Sequence, residues 1–207
     1  MYDVHTEVYK DHTIHIQPDD DNESPRTSMD NLATMVCFHK RYALGDKGHG
    51  FRMEDYSSWE ELEKAIRKQE DVAAILPVYM YDHSGLTINT TGFSCPWDSG
   101  QIGFVFISKK KIREEYSVKR ISPKILKQAI KVIQGEIETY DQYLRGDIYG
   151  YVIDGPDEEN IDSCWGFYGD DYCIDEAKGA IDYMIKRAKE KAQEEIEKKQ
   201  FQLELSA

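Results

Sequence analysis

Alternation of apolar and polar residues predicts strands along most of the chain. Residues 3–9 and 13–17 alternate with a period of two, and 10–12 between them have the composition of a hairpin turn. Pro77 interrupts the apolar segment 71–81, which predicts an edge strand or a bulge because proline cannot donate to a ladder. Further strands are predicted at 31–39, 86–93 and 101–108, and a closing hairpin at 147–154 and 161–168.

Three segments instead have the helical period. Ser58 and Glu61 have capping-box spacing at the start of a helix over 58–70. Ser122-Pro123 opens a second helix, which extends to about Leu144, because serine is a favoured N-cap and proline a favoured first residue. A third helix is predicted from 172 to 199, and the basic segment 109–116 is a short helix or a turn.

Strands in runs with helices between them predict an α+β fold, a mainly antiparallel sheet with two long helices and one or two short ones. We expect residues 1–171 to form the α+β domain and 172–207 to form a C-terminal helix. The first half of that helix carries a narrow apolar stripe and is expected to pack on the domain. Its second half is mostly charged and is expected to project; the stripe leaves open a homodimer through this helix.

Composition limits the classes of function. The 207 residues carry a net charge of -13, which argues against direct binding to nucleic acid because phosphates attract clustered lysine and arginine. An acidic surface is compatible with solubility alone or with docking on a basic protein. The absence of an apolar leader or membrane-length segment predicts a cytoplasmic protein with no membrane contact, and its four cysteines are then expected to be thiols. Without a CxxC, HExxH or glycine-rich phosphate motif we expect no metal and no cofactor.

Chemically capable side chains are densest between residues 76 and 110. Asp82-His83-Ser84-Gly85 and Ser94–Gly100 each follow a predicted strand. Cys95, His83 and either Asp98 or Asp82 are the residue types of a cysteine hydrolase. However, a ten-residue strand between the thiol and the imidazole would separate them by about 30 Å at about 3.3 Å per residue, which opposes a direct dyad unless the strand folds back.

Two simpler interpretations apply to the same residues. Aspartate, serine and glycine are what turns need, so most of both clusters has a purely structural explanation, but His83 and Trp97 do not. Aromatic rings beside polar groups also suit a pocket for a small ligand or a nucleotide, although tyrosine is common in strands for its own sake. The candidate binding residues are His39, Arg41, Tyr42, Asp82, His83, Ser84, Cys95, Trp97, Asp98 and Ser99.

The segments FHKRYALGD (38–46), YDHSG (81–85) and CPWDSGQ (95–101) resemble small acidic accessory proteins of bacteriophages and mobile elements. The resemblance extends through TYDQY (139–143) and CWGFYG (164–169), and so covers about 31–169. It implies a product that acts in the cytoplasm of an infected bacterium, and it assigns no catalytic role to any residue.

The expected function is therefore non-enzymatic inhibition of a bacterial defence system, a CRISPR effector or another nuclease. The inhibitor would bind a defence protein or nucleoprotein complex through its acidic surface. The alternatives are a small-ligand or nucleotide-binding protein and a Cys/His-dependent hydrolase, each using the 76–110 cluster.

Overall fold

A computed structural model describes the backbone of residues 2–205 and the side chains of residues 2–202. The contacts between Cα atoms divide this chain into two compact units. One unit contains the described residues up to Asn22 together with those from Asp147 onwards, and the other is Glu23–Gly146. This grouping differs from the expected boundary at residue 171, because the C-terminal helix shares a core with strands from both ends of the chain.

Eight strands, five α-helices and one 3-10 helix make up the described residues. The strands are β1 His5–Tyr9, β2 His12–Pro18, β3 Thr34–Cys37, β4 Val72–Asp82, β5 Leu86–Asn89, β6 Ser99–Ser108, β7 Ile148–Asp154 and β8 Asp162–Tyr168. The helices are α1 Pro25–Ser28, α2 Trp59–Gln69, α3 Lys109–Glu115, α4 Pro123–Arg145 and α5 Asp170–Leu205, with the 3-10 helix at Met53–Asp55.

The α+β fold with antiparallel pairing and two long helices is confirmed, but the strands form two sheets rather than one. Their orders are β1-β2-β7-β8 and β3-β6-β4-β5, and every pairing is antiparallel. Periodicity predicts a strand and its buried face, but it does not predict which other strand pairs with it. β2 and β7, for example, pair although they lie far apart in the sequence.

The unit that holds both ends of the chain packs α5 on the sheet β1-β2-β7-β8. Ile14 and Ile16 of β2 and Ile153 of β7 are fully buried against the first part of the helix, where Cys173, Ala177 and Ile181 are also fully buried. Residues 191–202 of α5 are exposed. Burial of this helix therefore ends about halfway along its length.

The unit Glu23–Gly146 places helices on both faces of the sheet β3-β6-β4-β5. Val105 and Ile107 of β6 belong to a core cluster with Ile133 of α4, whereas Phe104 and Phe106 belong to a cluster with Leu62 and Ile66 of α2. Successive side chains on a strand point to opposite faces, so the continuous apolar sequence of β6 serves two cores.

Two local features of this sheet follow from single residues. Pro77 lies where β4 pairs with β6 alone, since β5 pairs only with Tyr79–Asp82, and a register shift follows between Val78 and Tyr79. The predicted edge or bulge is thus present. Between β2 and β3, Ser24 accepts a hydrogen bond from the Arg26 amide and caps the four-residue α1.

Candidate binding site

The first part of the site is the loop formed by residues 38–44, which begins where β3 leaves the sheet. The Phe38 amide donates to the carbonyl of Ile102 at 2.8 Å, and this is the last bond between the two segments before the loop. The loop is closed by Asp46, whose amide donates to the Met35 carbonyl while its carboxylate accepts from the Met35 amide, each at 2.8 Å. The 38–44 loop is therefore fixed at both ends.

Arg26 stabilises Asp46, the residue that closes the loop. Its guanidinium binds both carboxylate oxygens of Asp46, at 2.8 and 2.7 Å, and reaches Glu136 of α4 at 3.1 Å. The side chain is only 2% exposed, and the Ala33 carbonyl and Asn31 accept its remaining hydrogen bonds. Bidentate, charge-assisted bonds of this kind are among the strongest that a side chain makes, so the base of the loop is rigid.

The second part of the site is the segment that connects β5 to β6. β5 ends at Asn89, whose side chain accepts hydrogen bonds from the amides of Thr91 and Gly92 and so turns the chain back. The loop then returns to the end of β4, where the Asp82 amide donates to the Asp98 carbonyl at 2.9 Å. The predicted strand over 86–93 is accordingly four residues long.

Asp98 of this returning loop contacts one side chain from its own loop and one from the turn after β4. Its Oδ2 lies 3.5 Å from Nδ1 of His83 and 3.9 Å from Sγ of Cys95. The Ser99 hydroxyl donates to the Cys95 carbonyl and fixes the same turn. Because the thiol and the imidazole contact one carboxylate oxygen, the predicted separation of about 30 Å is wrong; the strand does fold back.

This arrangement orders the loop but does not form a Cys–His dyad. A cysteine nucleophile needs a base that takes the thiol proton. The group within hydrogen-bonding reach of Cys95 is the Asp98 carboxylate, and the His83 imidazole contacts that carboxylate instead of the sulfur.

The two parts of the site meet through an ion pair between Arg41 and Asp82. The Arg41 guanidinium also lies 5.3 Å from the ring centre of Tyr42, and Tyr42 stacks on His39 with 5.0 Å between ring centres. A polar pocket of about 290 Å³ lies at this junction and is lined by His39, Arg41, Met80, Asp82, Trp97, Asp98, Ser99, Gly100, Gln101 and Ile102.

A larger cavity of about 820 Å³ shares His39 and Arg41 with the polar pocket. Its lining comes from residues 37–44 together with Met53 and Trp59. Cys37 is one of the lining residues, and its burial raises the pKa of the thiol to about 12 and so keeps it neutral.

Trp97 is the most exposed large hydrophobic residue of the described chain, at 91%. The residues on either side of it, Pro96 and Asp98, are exposed as well. The loop that carries Trp97 is nevertheless held by Asp98 and Ser99, so the indole is displayed from an ordered turn.

The ten residues predicted from sequence are brought together as follows. His39, Arg41, Asp82, Trp97, Asp98 and Ser99 line the polar pocket, Tyr42 stacks on one of them, and His83 and Cys95 contact Asp98. Ser84 takes a positive φ of 59° in the turn after β4 and is exposed. Its place in that turn is structural.

Sequence reasoning missed three groups of this region. Gln101 is the third residue of β6 and stands directly before its apolar run 102–107, which was a usable signal. Met53 and Trp59 line the larger cavity but belong to other elements, so no local pattern connects them with the 38–44 loop.

The fold and the site define an α+β protein that displays a tryptophan beside a polar pocket. No family model, curated protein or solved structure matches the chain. In the part of the chain that the structure describes, no three His, Cys, Asp or Glu side chains are grouped to hold a metal ion. None of the helices in that same part has the length and apolar character needed to cross a bilayer.

Proposed function

We propose that this protein is a non-enzymatic inhibitor that binds a nuclease of a bacterial defence system through the surface around Trp97. The observation that carries this proposal is the 91% exposure of that indole on an anchored loop. An indole left in water forfeits a large hydrophobic gain, and tryptophan is enriched among the residues that dominate protein interfaces.

Order in the loop supports binding more than catalysis. Asp98 bonds to the end of β4 and Ser99 bonds back to Cys95, so the indole is already presented before a partner arrives. Preorganisation lowers the entropy lost on association. The pocket beside Trp97 adds the polar groups of Arg41, Asp82 and His39 at its rim, and these suit hydrogen bonds that orient a partner.

The net charge and the resemblance to phage accessory proteins support a nuclease as the partner. A net charge of -13 favours encounter with a basic surface, and proteins that handle nucleic acid carry such surfaces. The segments that resemble phage accessory proteins include both the 38–44 loop and the Trp97 turn, which are the two parts of the site.

The test measures the affinity of wild type and of Trp97→Ala for a purified CRISPR effector nuclease. A phage-protection assay then compares the two proteins in cells. We expect affinity to fall by about thirtyfold or more, because truncation of a hot-spot residue costs about 2 kcal/mol or more. The melting temperature should be unchanged, since the removed ring contacts mainly water.

Tyr183→Ala is the matched control, since it removes an aromatic ring that is 64% exposed on α5. Equal binding and protection by wild type and Trp97→Ala would contradict the proposed surface. Absence of both binding and protection for wild type, across nucleases of several defence systems, would contradict the proposed function itself.

Cys95→Ala separates this proposal from the hydrolase alternative. The thiol contributes one long contact to Asp98, so its loss should leave inhibition intact. Loss of inhibition by a folded Cys95→Ala protein, with release of a cleaved product by wild type, would favour the enzyme.

A further inference from the structure

The cavity of about 820 Å³ that the 38–44 loop lines falls in the size range of small-molecule sites. It adjoins the polar pocket beside Trp97, with which it shares His39 and Arg41, but Trp97 itself does not line it. Its walls are mainly aromatic or aliphatic, and the residues that matter for the argument are Phe38, His39, Lys40, Arg41, Tyr42 and Trp59.

The rings that line this cavity are held by contacts of their own. Trp59 packs edge-on against Phe104 with 6.3 Å between ring centres, and Phe38 packs edge-on against His49 at 5.6 Å. Tyr42 is stacked on His39 within the loop. Flat, preformed aromatic walls favour a flat apolar ligand, since stacked and edge-to-face contacts both require a planar partner.

The charge of the lining is opposite to that of the chain. The whole sequence has 39 acidic and 26 basic residues, yet this cavity is lined by Lys40 and Arg41 and by no carboxylate. Arg41 is paired with Asp82, whereas Lys40 makes no ion pair with any residue between 2 and 202. Cys37 adds no negative charge because it is a buried neutral thiol.

We propose that this cavity binds a planar aromatic anion, a fused or linked ring system that carries a carboxylate, sulfonate or phosphate group. The ring lies among Phe38, Tyr42 and Trp59, and the acid group is bound by the free ammonium of Lys40 at the rim. A neutral ligand would leave that cation unused, and a cationic one would be repelled by both basic side chains.

The probe for the test is 8-anilinonaphthalene-1-sulfonate, an aromatic sulfonate built from a flat naphthalene and a linked phenyl ring. In the full-length double variant Trp97→Phe/Trp165→Phe, Trp59 is the only remaining tryptophan, since the chain has three. We expect saturable energy transfer from Trp59 to one bound probe molecule. Absence of saturable binding would overturn the proposal.

Two substitutions in the same background locate the bound probe. Ala43 is exposed and lines the cavity, so Ala43→Phe should fill it and abolish binding without disturbing the core. Lys40→Glu should weaken binding by about tenfold or more, because it replaces the pairing cation with a like charge. Ala188→Phe and Lys189→Glu make the same changes at exposed positions of α5 and should have no effect.

Recognition of the anion is tested with N-phenyl-1-naphthylamine, which has the same rings without the sulfonate. We expect its affinity to be lower than that of the sulfonate by about tenfold or more. Equal affinity of the two probes, or binding of the sulfonate that survives Ala43→Phe, would overturn the assignment. None of these measurements depends on inhibition of a nuclease, so the result is independent of the proposed function.

Discussion

At the residue scale, single charged side chains hold the segments that make up the site. Asp98 contacts the side chains of His83 and Cys95 and thereby orders the turn that carries Trp97. Asp141 of α4 does the same for β5, accepting hydrogen bonds from the Thr87 hydroxyl at 2.6 Å and from the Ile88 amide at 2.7 Å. The Asp141 carboxylate satisfies a backbone amide of β5, whereas the Asp98 carboxylate links two side chains.

Arg26 should be far more important for stability than its sequence context suggests. Arg26→Met leaves the partly buried carboxylates of Asp46 and Glu136 without their shared cation, so we expect a loss of about 3 to 5 kcal/mol in the free energy of unfolding. Arg41→Met is the matched control, since Arg41 is 68% exposed and its ion pair should contribute about 1 kcal/mol or less. Urea unfolding of both variants measures the difference, and similar losses would contradict the network.

His15 should make the stability of the protein depend on pH. Its ring lies between Asp3 at 2.8 Å and Asp154 at 3.1 Å, and the hydrogen bond to Asp3, together with that to Asp154, raises the pKa of the imidazole above its ordinary value of 6.5. A raised folded-state pKa means that the contribution is fully present below the unfolded pKa and is lost as pH rises through the folded pKa.

The measurement is the stability of wild type minus that of His15→Gln, from urea unfolding between pH 5 and pH 9. We expect this difference to shrink as pH rises. His12→Gln serves for comparison, because the His12 ring contacts the Lys10 carbonyl rather than a carboxylate. A difference that stays constant with pH would refute the proposed role of the His15 carboxylate contacts.

At the element scale, the close pairing of β3 with β6 positions the 38–44 loop. Cys37 pairs with Gly103, and a Cβ atom on Gly103 would lie 1.9 Å from the Val36 carbonyl oxygen. Only glycine permits this approach of the two backbones. The loop begins one residue beyond the contact, so its position depends on a glycine in another strand.

Gly103→Ala should therefore disrupt both β3 and the cavity that the 38–44 loop lines. We expect a large loss of stability, of about 3 kcal/mol or more as for a severe core overpacking, together with loss of aromatic-anion binding in any folded fraction. Gly100→Ala is the matched control in the same strand, because no atom lies within 4 Å of the added Cβ. Thermal melts and probe titrations measure both effects. Equal melting temperatures and equal probe affinities for the two variants would contradict the argument.

At the scale of the whole molecule, the excess of negative charge should govern association with a partner. The net charge of -13 attracts a basic surface over a distance that falls from about 10 Å at 0.1 M salt to about 3 Å at 1 M. We expect affinity for the proposed nuclease to fall by about tenfold or more across this range. The loss caused by Trp97→Ala should persist at both salt concentrations, because apolar burial is not screened.

Titration calorimetry at several salt concentrations gives both quantities in one series. Affinity that does not change with salt would indicate a mainly apolar interface. That result would remove net charge as support for the proposed partner, whereas Trp97 would remain the proposed main contact.

Sequence predicted the elements well wherever the signal is local. Ser58 and Ser122 accept hydrogen bonds from the Glu61 and Ile125 amides as the cap patterns predicted, and Gly146 ends α4 with a φ of 73°. Cap and turn signals are reliable because the groups that satisfy them lie within four residues of one another. Apolar periodicity likewise identified the strands that carry the three core clusters.

What only the tertiary structure decided is which distant segments meet. The sequence by itself determined that polar and aromatic residues are concentrated at 38–46 and 81–101, and that a fully extended strand would separate His83 from Cys95. The fold-back at Asn89, the burial of Arg26 among three segments and the entry of Trp59 into the wall of the cavity depend on long-range packing. Such contacts are selected by the free energy of the whole fold, and no pattern of neighbouring residues encodes them.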